Sequence, residues 1–412
     1  MSSLRVLMYG WEFPPHNTGG LGVACHGMTK EMSGHDDLDV TLVLPKGMDF
    51  DGQTTPNKII FSPNKKSIKV RSFDTWLDPY SNEKSYQEYI TNLDEPVEYQ
   101  TLHDAVMGYA NVAEEIVQTE DFDLIHGHDW LTFPACIKTK QLSDKPMVAH
   151  VHATEIDRTG SHGDKRIFEI EKHGMQEADE VVCVSDYTRK TVISEYDIDS
   201  RKVSVVHNGI DKNETEFDDQ NQLYQQLNQY KEAGYQIVLF VGRLTFQKGV
   251  DYLLHAAKKV LSQNSKTMFV VVGKGDMEKK LIEIASHLKI SDRVMFPGWT
   301  QGENLRALYT LADVFIMPSV SEPFGLVALE AAYHNTPLIL SKNSGVCEVL
   351  NHALKIDFWD IDKTAEYIVG VLNYPTLKRA LMELSFRELS RTGWGEPVNK
   401  LKHIYNKLIH LD

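Results

Sequence analysis

Two glutamates, Glu322 and Glu330, frame the start of an apolar stretch in SVSEPFGLVALEAA, residues 319–332. Carboxylates accept hydrogen bonds from hydroxyls, whereas the first amides of a helix lack acceptors within it and form the positive end of its dipole. If Pro323, Phe324 and Gly325 make a turn, the amides of Gly325, Leu326 and Val327 suit phosphate oxygens, with Glu322 gripping a sugar and Glu330 a ribose. The same residues also suit a capped helix with one buried, paired glutamate. A second candidate is VGRLTFQKG, where Arg243 and Lys248 follow an apolar run. Two cations there suit a diphosphate, arginine as a fork and lysine as a point charge. Two solvated surface cations are the alternative.

Glycines and histidines supply the other candidates. GWEFPPHNTGGLG, from Gly10, provides Gly19, Gly20 and Gly22 ahead of a helix expected from near Val23. Glycines let backbone amides close on an anion, but the spacing is not that of the dinucleotide-binding G-x-G-x-x-G pattern, and a tight strand-to-helix turn explains it equally well. HGHDW at 126 and HVHATE at 150 each place two histidines two apart, on one face of a strand. Zinc is the tempting reading. Its sites want three or four protein ligands in closed geometry, and no cysteine or third histidine has suitable spacing. No metal or other cofactor is therefore expected.

These residues need elements that bring them to common edges. RVLMYG at 5, VTLVLP at 40, LIHGH at 124, MVAHVH at 147, EVVCVS at 180 and VSVVHNG at 203 are short apolar runs separated by longer amphipathic stretches. A second series follows, with QIVLFVGRL at 236, MFVVVGKG at 268, RVMFPGW at 293, DVFIMPS at 313 and PLILS at 337. Such alternation predicts parallel strands joined by helices, in two doubly wound α/β domains, with ligands at the carboxyl ends of strands. The expected boundaries are 1–211, a polar linker with a helix at 212–235, a second domain at 236–385, and a segment from 386 to 412. Pro397 is expected to start the last helix.

Composition narrows the class. With 412 residues the chain exceeds one ordinary core. Its longest apolar runs fall far short of the roughly 18 residues that span a bilayer, and LRVLMY near the start reads as a strand and not a signal, so a cytoplasmic location is expected. A formal charge of -15 disfavours nucleic acid and anionic lipid. Four well-separated cysteines read as reduced and structural. The basic group Lys65, Lys66, Lys69 and Arg71 reads as a solvated loop or edge strand in preference to a docking patch.

Together, NTGGLG, HGHDW, VHATE, VVHNGID, VGRLTFQKG and SEPFGLVALE resemble the retaining GT-B glycosyltransferases, on the branch of glycogen and starch synthases and sucrose-synthase-like enzymes. The likeness covers nearly the whole chain and is weakest from 62 to 120. It implies two Rossmann-like domains facing each other across a cleft, the first for acceptor and the second for nucleotide sugar, with the final helix packing back on the first. By resemblance, Gly19 and Gly20 approach the donor phosphates, His152 contacts the transferred sugar, Asp129 lines the acceptor side and Asn208 lies near the sugar. Arg243 and Lys248 neutralise the leaving diphosphate; Glu322 binds sugar hydroxyls beside the turn Phe324, Gly325, Leu326 and Val327; Glu330 holds the ribose. The catalytic set so implied is Glu322, His152, Arg243, Lys248 and Asp129.

The implied reaction is metal-independent, retaining transfer of a hexose, glucose foremost, from a UDP or ADP sugar to a sugar or α-glucan. Asn17 stands where the glycogen-making branch usually has lysine, which opens the acceptor to small sugars; a lipid acceptor is a further alternative. A non-catalytic sugar-nucleotide binder would be expected to lose the charged residues that this chain retains. The oligomeric state is left open.

Overall fold

Apolar β-branched runs become strands because both faces can be covered by helices, and nearly every such run does so here. The computed structural model describes residues 3–14, 19–45, 54–55, 58–61, 66–73, 86–87, 91, 99–160, 163–212, 217 and 219–410. Asn17 and Lys65 lie outside the described residues, as does much of 62–98. The chain divides into two units: one comprising Met1–Ile156, Gly160–Gly209 and Trp394–Asp412, the other Asp157–Thr159 and Ile210–Gly393.

The first unit holds β1 (Leu4–Tyr9), β2 (Leu38–Pro45), β3 (Thr54–Thr55), β4 (Lys58–Phe61), β5 (Lys66–Phe73), β6 (Leu124–His128), β7 (Met147–Val151), β8 (Glu180–Cys183) and β9 (Val203–Val205). Their order is β3-β4-β5-β2-β1-β6-β7-β8-β9, parallel from β5 to β9. Sequence order reverses between β1 and β6. β5 is paired on both sides, not an edge, and Lys69 and Arg71 meet Glu120 at the C-cap and Glu115 within the helix Val112–Thr119. Those two cations are paired structurally, which leaves little for a docking patch.

In the second unit, β10 (Gln236–Val241), β11 (Thr267–Val272), β12 (Val294–Gly298), β13 (Val314–Met317), β14 (Leu338–Ser341) and β15 (Leu354–Ile356) form a wholly parallel sheet. The order β12-β11-β10-β13-β14-β15 is that of a dinucleotide-type doubly wound sheet. Val238, Phe240, Phe269, Val271, Val314 and Ile316 project into a core shared with Leu253, Leu254 and Ile368 of the covering helices. The order reverses between β10 and β13, opening a crevice at their carboxyl ends.

Four boundaries differ from the sequence expectation. The first helix spans Gly20–Met32 and begins before Val23, because the buried Glu12 carboxylate accepts the Gly22 amide at 2.6 Å and so serves as a distant cap. The helix Gln222–Glu232 belongs to the second unit and is not a free linker: Leu227 is buried and Lys231 pairs with Asp313. The last helix spans Gly395–Ile409, with Pro397 in its first turn, where a missing N–H costs nothing. The segment grouped with the first unit starts at Trp394, while the helix Pro375–Glu388 stays with the second.

All four cysteines are free thiols. No described helix is long and apolar enough to cross a membrane.

Candidate active site

The second unit gathers its charged residues at the β10/β13 switch point. After β10, Gly242 donates to Val272 and Leu244 to Lys274, so the strand ends are tied together before the chain turns. A short 3-10 turn, Phe246–Lys248, leads through Gly249 into the helix Val250–Gln263. Gly249 has φ 64°, and a Cβ there would stand 2.2 Å from the Pro318 carbonyl oxygen. Only glycine lets the Lys248 loop come this close to the end of β13.

That approach joins the two loops. The Val320 amide donates to Gln247 at 2.8 Å, and Lys248 Nζ lies 2.7 Å from Glu322 Oε2. Both side chains are largely withdrawn from solvent, at 14% and 10% exposed. Ser319 Oγ adds a longer bond to the same carboxylate oxygen, at 3.3 Å. On the other flank Glu322 donates its amide to Asn343 and accepts from Gly345, while Phe324 accepts from Val346. The loop between β13 and the helix Leu326–Tyr333 is thus fixed by the ends of β10 and β14.

Gly325 heads that helix at φ 107°, with no side-chain cap and no acid in the first turn. A Cβ on Gly325 would meet Met317 Cε at 2.8 Å and Glu322 Cγ at 3.3 Å. The result is a helix start of positive potential next to a buried lysine–glutamate pair. An ammonium has three donors, so Lys248 can hold Glu322 and still present hydrogen bonds to a phosphate. Arg243 lies on the same loop, with Nη2 3.5 Å from Gln247 Oε1. Further along the helix, Glu330 Oε2 accepts a 2.8 Å hydrogen bond from Tyr309.

In the first unit, Asp129 follows β6 at φ 59°, a strained conformation that aspartate tolerates better than most residues. Its Oδ1 accepts the amides of His152 at 2.6 Å and Ala153 at 3.3 Å. Asp129 therefore positions the His152 loop, a role the sequence alone does not disclose. Gly19 and Gly20 sit at the start of the Gly20–Met32 helix, where Glu12 already occupies one amide. Asn208 is buried beyond β9.

β6 and β7 are neighbours with His128 opposite His150, so the two histidine pairs form one array. Nitrogens of His126, His128 and His150 lie within 4.8 Å of one another; the strands supply the third histidine that spacing did not reveal. The contacts, however, are those of hydrogen bonds: His126 Nε2 to His150 Nδ1 at 3.1 Å and His128 Nδ1 to His152 Nε2 at 2.9 Å. His126 Nδ1 meets the Tyr405 hydroxyl at 2.5 Å. A divalent ion would have to displace these bonds, although three neutral imidazoles are a donor set that zinc accepts, and His128 Nε2 and His150 Nε2 have no hydrogen-bond partner here. Burial pushes His126 and His152 down to about 3 and holds His128 and His150 well below the ordinary histidine range. All four are therefore neutral near pH 7.

The sequence residues thus fall into two groups. Arg243, Lys248, Glu322, Phe324, Gly325, Leu326, Val327 and Glu330 share one strand-to-helix region of the second unit, while Asp129 and His152 meet in the first. Ser319 and Gln247 support the former from within the two quoted motifs, and Asn343 and Tyr309 support it without any motif to mark them. Glu12 had a signal, as a lone acid in an otherwise apolar strand end.

Residues 82–214 match Glycosyltransferase Family 4, and residues 225–383 match Glycosyl transferases group 1. An uncharacterized glycosyltransferase of Methanocaldococcus jannaschii is 31% identical over 397 residues, covering 93% of this chain and 91% of that protein. A glycogen synthase of Mycobacterium tuberculosis is 28% identical over 355 residues, 84% of this chain and 80% of its own length. The structure of sucrose-phosphate synthase from Thermosynechococcus elongatus superposes with a TM-score of 0.77 at 18% identity, over 99% of this chain and 100% of that one. Both sheets are Rossmann-like, both halves match the family, and a relative aligns over nine-tenths of each chain: this protein belongs to the glycosyltransferases, in the GT-B fold.

Proposed function

We propose that the chain moves a glucosyl group from UDP- or ADP-glucose to a sugar or α-glucan hydroxyl, with retention of anomeric configuration and without a metal. The observation that carries this reading is the Lys248–Glu322 pair beside the uncapped helix start at Gly325. As the bond from the anomeric carbon to the diphosphate breaks, negative charge grows on phosphate. Lys248, Arg243 and the amides of Leu326 and Val327 are fixed dipoles and charges suited to it, and such preorganisation favours the transition state over the bound donor. Glu322 accepts hydrogen bonds from sugar hydroxyls.

The acceptor oxygen forms its new bond on the face the diphosphate leaves. Its proton passes to a departing phosphate oxygen, giving glycoside and nucleoside diphosphate. His152 contacts the transferred sugar, and neutral imidazole serves as a hydrogen-bonding partner without adding positive charge. Asp129 acts by holding the His152 loop. Gly19, Gly20 and Asn208 retain their proposed places near donor phosphates and sugar.

The mycobacterial glycogen synthase supports a glucan acceptor. Asn17, in place of the lysine of the glycogen-making branch, favours a small sugar acceptor as a second reading.

The test is nucleotide release from UDP-glucose and ADP-glucose with glycogen, glucose or glucose 6-phosphate as acceptor, in the presence and absence of EDTA. Acceptor-stimulated release, an α-linked product by NMR and indifference to EDTA are expected. A β-linked product overturns retention, loss of activity with EDTA overturns metal independence, and no release overturns the donor class.

A further inference from the structure

Glu330 lies on the helix Leu326–Tyr333, and the neighbouring helix Gly302–Leu311 sends Tyr309 to it. Tyr309 is 1% exposed, and its hydroxyl donates to Glu330 Oε2 at 2.8 Å. Its ring is stacked on His334, with centroids 5.9 Å apart and planes at 13°, and meets Phe315 edge-on at 6.0 Å. The Tyr309 carbonyl accepts from Thr336 Oγ1 at 2.8 Å. Packing and backbone together leave the hydroxyl in one place.

We propose that Tyr309 is a positioning residue for nucleotide recognition: it locks the Glu330 carboxylate so that the group meets the vicinal hydroxyls of a ribose and discriminates against a deoxyribose. This deepens the assignment of Glu330 to the ribose and rests on it. A free glutamate has three torsions to fix on binding, worth up to about 1.5–2 kcal/mol of side-chain entropy. Here the cost is met during folding, so binding starts from an ordered acceptor. A carboxylate has about four acceptor sites, so the bond to tyrosine does not exhaust it as an acceptor of hydroxyl hydrogen bonds. Burial and the adjacent carboxylate raise the tyrosine well above the ordinary phenol range, keeping it a donor.

The decisive measurement is the ratio of affinities for a ribonucleotide and its 2′-deoxy form. UDP with 2′-deoxy-UDP, and ADP with 2′-deoxy-ADP, are titrated calorimetrically into the full chain and its Tyr309→Phe and Glu330→Ala variants. For the nucleotide that binds more tightly, the wild-type ratio is expected to be roughly tenfold or more, since a site built for a hydroxyl is left with an unpaired group by its loss.

Tyr309→Phe should weaken UDP or ADP binding roughly tenfold, weaken the deoxy form much less, and raise KM with little change in kcat. Thermal unfolding checks that the variant is folded. Equal weakening toward both sugars means a merely structural role and overturns the proposal. So does an unchanged Tyr309→Phe ratio beside a collapsed Glu330→Ala ratio, a result that leaves Glu330 itself as the ribose ligand. An unchanged ratio in Glu330→Ala removes the ribose assignment and the proposal with it.

Discussion

At the residue scale, the informative object is the Lys248–Glu322 pair, because each member keeps the other from being an uncompensated buried charge. Lys248→Ala and Glu322→Ala should each lose about 3 kcal/mol of unfolding free energy, while the double variant loses clearly less than the sum, as urea titrations can establish. Turnover should fall about a hundredfold or more in every one of them. Additive stability losses would show that the two groups do not interact in solution. The placement of these residues was legible, since they lie on short strand-to-helix turns marked by proline and glycine. Tyr309 and the bracket role of Asp129 were not, because each depends on a partner from a distant segment. The histidines fall between: their pairwise spacing within strands could be read, but not which strands are neighbours.

At the scale of elements, the site depends on how closely loops can approach. Gly249 and Gly302 both have positive φ, at 64° and 58°, but a Cβ on Gly249 would strike the Pro318 carbonyl, whereas one on Gly302 would meet nothing within 4 Å. Gly302→Ala therefore isolates the dihedral cost, about 1 kcal/mol. Gly249→Ala should cost at least about 2 kcal/mol and abolish nucleotide binding, because the Lys248 loop must move off β13. Equal losses in the two variants, measured by denaturation and calorimetry, would contradict the idea that close approach sets the site. Strands with long apolar runs were readable from those runs alone, whereas β3, β4 and β15, which are short, and β5, whose run carries lysines and an arginine, were not. Helix starts were displaced where a remote group intervened, as when Glu12 capped the first helix before Val23.

At the scale of the whole molecule, the buried histidine array couples stability to acidity. With His126 and His152 near 3 in the folded protein and histidine near 6.5 when unfolded, the unfolded chain takes up protons that the folded one refuses. Stability is therefore complete above pH 6.5 and declines as pH falls toward 3, by about 1.4 kcal/mol per pH unit for each such histidine. Urea unfolding between pH 7.5 and 4.5 should show this slope, and His150→Gln should reduce it by about one proton; an unaltered slope would place the proton uptake elsewhere. That the last helix belongs with the first unit was expected only through the resemblance, since nothing local marks Trp394 as a residue of that unit. It packs beside Gly27, where a Cβ would come within 2.1 Å of the indole nitrogen, and Tyr405 reaches His126 in β6. The consequence concerns synthesis. Most of the first unit leaves the ribosome before the second begins, yet its final packing layer is translated last, after residue 393. While the second unit is being made, the surfaces destined for Trp394 and Tyr405 must wait uncovered, so nascent chains halted before that point should be the ones that chaperones retain.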